Sequence, residues 1–260
     1  MIFQKEYDGK CWWCGAIADS SEHRYKSSDL KREYGKGFQF KNIEPIRVLD
    51  NTEHLAIERP KSKTVKFKKS ICKNCNTTRS QPFDLAYDKF NDFYKLNEDL
   101  ICNQGSIDLI LIFGENWQND LLNLQKYYVK HFCCRLYEAG AFISNDMIQF
   151  LNDESGLLNL KLIILLRSDI QKLLEFSSTI DKSSYMGMDG LTGNMSVSKN
   201  AYHFLETTFS YRALTIHFYY SLESNRFTTN LSTGPVIYLP KYVNPEFNKL
   251  VEDQLNDRKA

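Results

Sequence analysis

The residues whose types and spacing could do chemistry lie in the first third of the chain. Cys11-Trp-Trp-Cys14 and Cys72-Lys-Asn-Cys75 are two CxxC pairs. Two intervening residues let both thiolates of a pair turn onto one tetrahedral ion, so the four together describe a zinc site. With every coordination position filled by protein, such a zinc is structural. A redox dithiol, the other reading of Cys-Trp-Trp-Cys, calls for a βαβ context and needs no second pair. Glu22-His23 follows the first pair and Asn76 directly follows the second. An imidazole takes up a proton near neutral pH, and carboxylate or amide oxygens suit Mg²⁺ or Mn²⁺. Zinc joining Cys11 and Cys14 to Cys72 and Cys75 would concentrate those groups in one place.

The elements that must position them are legible to different degrees. Ser27 or Ser28 can cap a short helix through Tyr34 that stops at Gly35. Residues 61–71 alternate, with Lys63, Val65, Phe67 and Lys69 on one side and Thr64, Lys66, Lys68 and Ser70 on the other, which predicts a basic strand entering Cys72. Ser80-Gln-Pro-Phe-Asp opens a helix: Phe83, Tyr87, Phe90 and Tyr94 recur on one face. Asp84, in its first turn and close in sequence to the second cysteine pair, reads as a metal ligand, a group supporting one, or most simply an acid favoured by the helix dipole. Residues 38–58 predict strand and loop. There Glu53-His54 repeats the acid-histidine pair without the cysteine context, so His54 reads as structural or surface.

From Arg59 to Arg79 the chain carries eight basic residues and no acidic one. Such a run is a solvated face or a surface for nucleic acid. In the second case Lys66, Lys68 and Arg79 hold backbone phosphates, with Arg24 and Lys26 nearer His23.

At 260 residues, 42% hydrophobic and 25% charged, the chain can bury a core of its own, which makes the zinc local scaffolding. Seven cysteines, an odd number, with no apolar leader before Cys11, predict a reducing, cytoplasmic compartment. No apolar run approaches the roughly 20 residues of a membrane span. Composition turns more acidic and apolar near residue 100, which predicts a boundary between 1–100 and 101–260. Beyond it the pattern predicts a strand at 107–113, helices at 121–139 and 144–151, and a strand or helix at 157–176. A mobile loop at 183–200 and strands at 211–221 and 235–242 complete the reading. His131, His203 and His217 have no partner spacing, and Cys133 and Cys134 read as small packed hydrophobes.

Cys11, Cys14, Glu22-His23, Cys72, Cys75 and Asn76, with Lys26 and the Ser27-Ser28-Asp29-Leu30 continuation, together resemble the HNH endonuclease family over residues 11 to about 95. The resemblance implies α+β architecture: an N-terminal ββα-metal module stapled by zinc, followed by a mixed α/β extension. It implies a metal-dependent endonuclease that hydrolyses phosphodiester bonds in nucleic acid, with double-stranded DNA as the expected partner. His23 would be the general base, and Glu22 and Asn76 would hold a catalytic Mg²⁺ or Mn²⁺ beside the structural zinc. Two positions depart from the family pattern: Glu22 stands for its usual Asp and Asn76 for its final His. Both replacements are oxygen ligands, which shifts preference away from softer ions. No residue before Cys72 matches the family's middle Asn, so the partner that orients His23 is unassigned. Residues 101–260 would serve target choice, dimerisation or a partner protein, in a setting such as restriction or phage defence. The rival reading is a zinc knuckle that binds nucleic acid without catalysis.

Overall fold

The computed structural model describes residues 9–35, 48–50, 53–55, 62–154, 156, 159–178, 185–196, 201–221, 231 and 234–257. In chain order the elements are α1 (Ser27–Tyr34), β1 (Val48–Asp50), β2 (Glu53–Leu55), α2 (Gln81–Leu96), α3 (Glu98–Gln104), β3 (Ser106–Asp108), α4 (Leu109–Phe113), α5 (Trp117–Glu138) and α6 (Asn145–Leu151). They continue with β4 (Leu160–Arg167), α7 (Ser168–Ser178), β5 (Met186–Met188), β6 (Thr192–Ser196), β7 (Ala201–Tyr211), β8 (Leu214–Tyr220), β9 (Val236–Tyr238), β10 (Lys241–Tyr242) and α8 (Pro245–Asp257). The class is α+β, and no helix among the described residues is long and apolar enough to cross a membrane.

The chain forms two compact units, and the division departs from a single cut near residue 100. Residues 1–95 and 118–156 make the first unit; 96–117 and 157–260 make the second. The cause is α5: Leu124, Tyr127, Tyr128 and Phe132 are buried along it, and the Tyr127 and Tyr87 rings stack at 3.8 Å. α2 contributes Phe83, Tyr87, Phe90 and Tyr94, all at most 5% exposed, as their spacing predicts. Each such ring removes enough apolar surface from water for about 2 kcal/mol or more. The first unit therefore needs α5 to complete its core.

Two other local expectations change. Residues 63–65 form a single tight turn of 3₁₀ helix, and beyond it only Lys66 and Ile71 make isolated bridges, to His23 and Ser20, so the expected basic strand does not form as a continuous one. Burial decides it: Val65, Phe67, Ser70 and Ile71 are all buried, which strict alternation cannot satisfy. Lys26, rather than a serine, occupies the position before α1, and Ser28 instead donates to Asp88 Oδ1 at 2.6 Å. Of residues 38–58, β1 and β2 pair antiparallel with His54 opposite Leu49; the remainder lies outside the described residues.

The second unit is built on a sheet in the order β10-β4-β8-β7-β5, with β6 also on β7; β10 runs parallel to β4 and the other pairs are antiparallel. β3 and β9 form a separate antiparallel pair. The ambiguous stretch at 157–176 resolves into β4 followed directly by α7. Leu160, Leu162, Ile164 and Leu166 are fully buried while Lys161, Ile163 and Leu165 are less so, the period-two signature of a strand. The run at 107–113 is strand only to Asp108, whose carboxylate then accepts from Ile110 N and starts α4. The described part of the expected loop at 183–200 is β5 and β6; residues 183, 184 and 197–200 lie outside the described residues.

Candidate metal centre and acid-histidine site

The chain turns tightly at each cysteine pair. Cys11 N donates to Ala16 O at 2.6 Å and Gly15 N to Cys11 O at 2.9 Å, with Gly15 at φ 76°, a conformation glycine adopts without strain. At the second pair, Asn76 N donates to Cys72 O at 3.0 Å and Cys75 N to Cys72 Sγ at 3.4 Å. The helix is wound as a wider π turn over Asn74–Arg79, an arrangement common at functional sites. The four sulfurs of Cys11, Cys14, Cys72 and Cys75 all lie within 4.8 Å of one another, Cys14 and Cys72 at 3.6 Å. Zinc bonded to sulfur at about 2.3 Å would hold its ligands about 3.8 Å apart, so the set fits a tetrahedral ion. Such a centre carries net negative charge, and Arg79 answers it. Its Nη1 lies 3.6 Å from Cys75 Sγ, its guanidinium sits 4.4 Å over the Trp13 ring, and its Nη2 donates to Asn152 Oδ1 at 2.8 Å. Arg79, expected at a phosphate, is engaged beside the sulfurs.

From the first pair the chain runs antiparallel to the segment entering the second. Ser20 N donates to Ile71 O, Phe67 N to Glu22 O and Arg24 N to Val65 O, each at 2.8 to 2.9 Å, which sets His23 opposite Lys66. Asn76 closes the arrangement: its Nδ2 donates to Ser20 Oγ at 2.9 Å and to Ser21 O at 3.3 Å. A carbonyl only accepts, so the amide nitrogen must face Ser21. Asn76 Oδ1 is thereby turned away, buried and without a protein partner among the described residues. His23 Nε2 is likewise buried and unpartnered. Burial holds the His23 pKa below its ordinary value, with Glu22 opposing and the lysines Lys66 and Lys130 assisting. The imidazole is therefore neutral at pH 7 and able to accept a proton.

Glu22 is 5% exposed, and its partner is Lys130 of α5, which is fully buried. Lys130 Nζ lies 2.9 Å from Glu22 Oε2, 3.2 Å from Ser80 Oγ and 3.4 Å from Asp84 Oδ1. The other oxygen, Glu22 Oε1, accepts from His23 N at 3.1 Å. Burial works against the Glu22 charge, but the Lys130 ammonium outweighs it and holds the carboxyl below the usual range. Burial likewise works against the ammonium, and Glu22 and Asp84 outweigh it to raise the Lys130 pKa. Asp84 is thus a partner of Lys130, and of Lys26, rather than an acid answering only the helix dipole.

The basic residues divide into two groups. Arg24 pairs with Glu138 at 2.5 Å and lies over the Phe67 ring. Lys26 pairs with Asp88 at 2.9 Å, donates to Asp84 O at 2.8 Å and lies 5.2 and 5.4 Å from the centroids of the Tyr87 and Tyr127 rings. Both were natural candidates for phosphate, and both are committed to carboxylates of their own unit. Lys66 and Lys68, with Lys63, Lys69 and Lys73, meet no carboxylate among the described residues; all but the half-buried Lys66 are exposed. Lys68 N also donates to Glu138 Oε1 at 3.1 Å, which fixes this segment against α5.

Sequence reasoning missed Lys130 and His131. His131 is 3% exposed, its Nε2 lies 3.1 Å from Arg24 O, and its ring meets Phe67 edge-on. Because the carbonyl accepts, Nε2 carries the proton. The available signal was composition: Lys130-His131 sits among Tyr127, Tyr128, Val129 and Phe132 on α5, where burial demands a distant partner. Cys133 and Cys134 are fully buried and packed as expected. Comparison with protein-family models, with curated proteins and with solved structures yields no match for this chain.

Proposed function

We propose that the first unit is a metal-dependent nuclease site built on a structural zinc. The observation that carries this reading is the pair of buried, unpartnered polar atoms, His23 Nε2 and Asn76 Oδ1. Each belongs to a residue whose role follows from the HNH resemblance, and one would accept a proton while the other would donate a lone pair to a hard cation. Ionised Glu22 and Asn76 Oδ1 are oxygen donors suited to Mg²⁺ or Mn²⁺, which would supply stabilisation of negative charge on the phosphate and leaving oxygen. Neutral His23 draws the proton from an attacking water. Its backbone, paired with Lys66 and hydrogen-bonded through Glu22 Oε1, fixes where that proton is received. Lys66 and Lys68 hold flanking phosphates without reading sequence.

One observation favours a second reading, a zinc-stapled nucleic-acid-binding module without catalysis: the Glu22 charge is already met by Lys130 at 2.9 Å. Incubation of purified protein with supercoiled plasmid separates the two. Nicking in Mg²⁺ or Mn²⁺ that stops with EDTA supports the nuclease; retention of plasmid on the protein with no cut strand in either ion supports the binding module.

A further inference from the structure

The second unit contains a cavity of about 510 Å³, within the range that takes a small organic ligand. It opens on the face of the sheet opposite the fully buried leucines of β4. Register fixes that face: Ile163 and Leu165 of β4 lie across from His217 and Thr215 of β8, and His217 lies across from Thr208 of β7. Ile163 and Leu165 give an apolar floor, and Tyr242 adds an aromatic wall.

The charged groups in the cavity do not balance. Arg167 lines it, but its Nε and Nη2 donate to both oxygens of the fully buried Asp169 at 2.8 and 2.6 Å, so most of its charge is met from behind and Asp189 shares only what remains. No lysine lines the cavity. Two carboxylates do, Asp189 and Glu206. Asp189 Oδ2 accepts from the Thr208 hydroxyl, and Glu206 Oε2 lies 3.3 Å from His217 Nε2. One oxygen of each carboxylate has no partner among the described residues.

We propose that this cavity is a binding site for a small organic cation, a protonated nitrogen base carried on an apolar or aromatic body. The base would sit between Asp189 and Glu206, with the body on Ile163 and Leu165 against Tyr242. Two carboxylates at the rim of an apolar cavity favour a cation over a neutral isostere and oppose an anion. The proposal is independent of the chemistry assigned to the first unit.

Calorimetric titration of the full chain with tyramine, its neutral analogue tyrosol and the anion 4-hydroxyphenylacetate tests it. Tyramine should bind about tenfold or more tightly than tyrosol, and the anion should not bind measurably, a difference of about 1.4 kcal/mol per tenfold. Glu206→Gln and Asp189→Asn should each weaken tyramine about fivefold or more and leave tyrosol unchanged. Because Glu206 is 39% exposed, its conservative amide should leave the melting temperature in place. Absence of saturable tyramine binding, equal affinity for tyrosol, or affinity indifferent to both substitutions would overturn the proposal.

Discussion

Among the described residues each unit holds an ion pair with both partners buried, and the two pairs are made differently. Arg167 and Asp169 are two residues apart at the junction of β4 and α7, and their fork-to-fork geometry is local. Lys130 and Glu22 come from α5 and from a segment before α1, and they meet only once the first unit has assembled. The local pair secures a corner of the sheet. The distant pair secures a carboxylate directly beside His23, whose Nε2 is buried without a partner among the described residues.

The largest effect that would break this comparison is removal of a zinc ligand. Cys75→Ser should abolish stoichiometric zinc and unfold the first unit, because the centre ties residues 11–14 to 72–75. Zinc content with amide hydrogen exchange checks it: protection should vanish along α2 and α5 and persist along β4 and β8. Next in size, Lys130→Met should cost about 3 to 5 kcal/mol by leaving Glu22 buried and unpaired, and Arg167→Met a similar amount through Asp169. Urea denaturation reads both. Adding Glu22→Gln to Lys130→Met should restore most of the loss, and a cost under about 1 kcal/mol for Lys130→Met would show that water reaches Glu22.

A smaller effect sharpens the comparison through pH. Burial pushes His131 down to about 4 from 6.5, so its folding contribution is complete above pH 6.5 and is lost as pH falls toward 4. Between pH 6.5 and 5 the loss is about 2 kcal/mol. Asp29, fully buried, works in the opposite direction: burial raises it to about 6, so its contribution is present at low pH and lost as pH rises through 6. The difference between wild type and His131→Gln isolates the histidine, and the variant's melting temperature should fall less than wild type's on going from pH 7 to 5. Smallest is Lys66→Ala with Lys68→Ala, which should reduce the salt slope of nucleic-acid affinity by up to about two and weaken all sequences alike. Fluorescence anisotropy across a salt series reads that slope.

What the sequence made legible follows the range of the interactions. The cysteine set, the buried stripe of α2 and the end of α1 at Gly35 depend on short spacing, and they stand where the pattern predicts. The partner of Glu22 does not, because no local periodicity connects residue 22 to residue 130. The unit boundary was hidden for the same reason: α5 is amphipathic in either unit, and contacts such as the stacking of Tyr127 on Tyr87 and the pairing of Lys130 with Glu22 assign it to the first. Arg24, Lys26 and Arg79 look like free basic residues until Glu138, Asp88 and the cysteine cluster are brought beside them. In the second unit, β5 and β6 were masked by small residues at 183–200 whose strand character comes from pairing with β7.

The measurement that bears most directly on the proposed site is plasmid cleavage in Mg²⁺ or Mn²⁺ by His23→Ala and His54→Ala side by side. The two histidines share an acid-histidine dipeptide, but His23 is set opposite Lys66 on the segment that enters the second cysteine pair, whereas His54 is set opposite Leu49. His23→Ala should keep its zinc and its fold and lose about 10²- to 10⁴-fold in rate, while His54→Ala cuts at close to the wild-type rate. Full activity in His23→Ala, or loss of cleavage in His54→Ala alone, would contradict the assignment of His23 as the base.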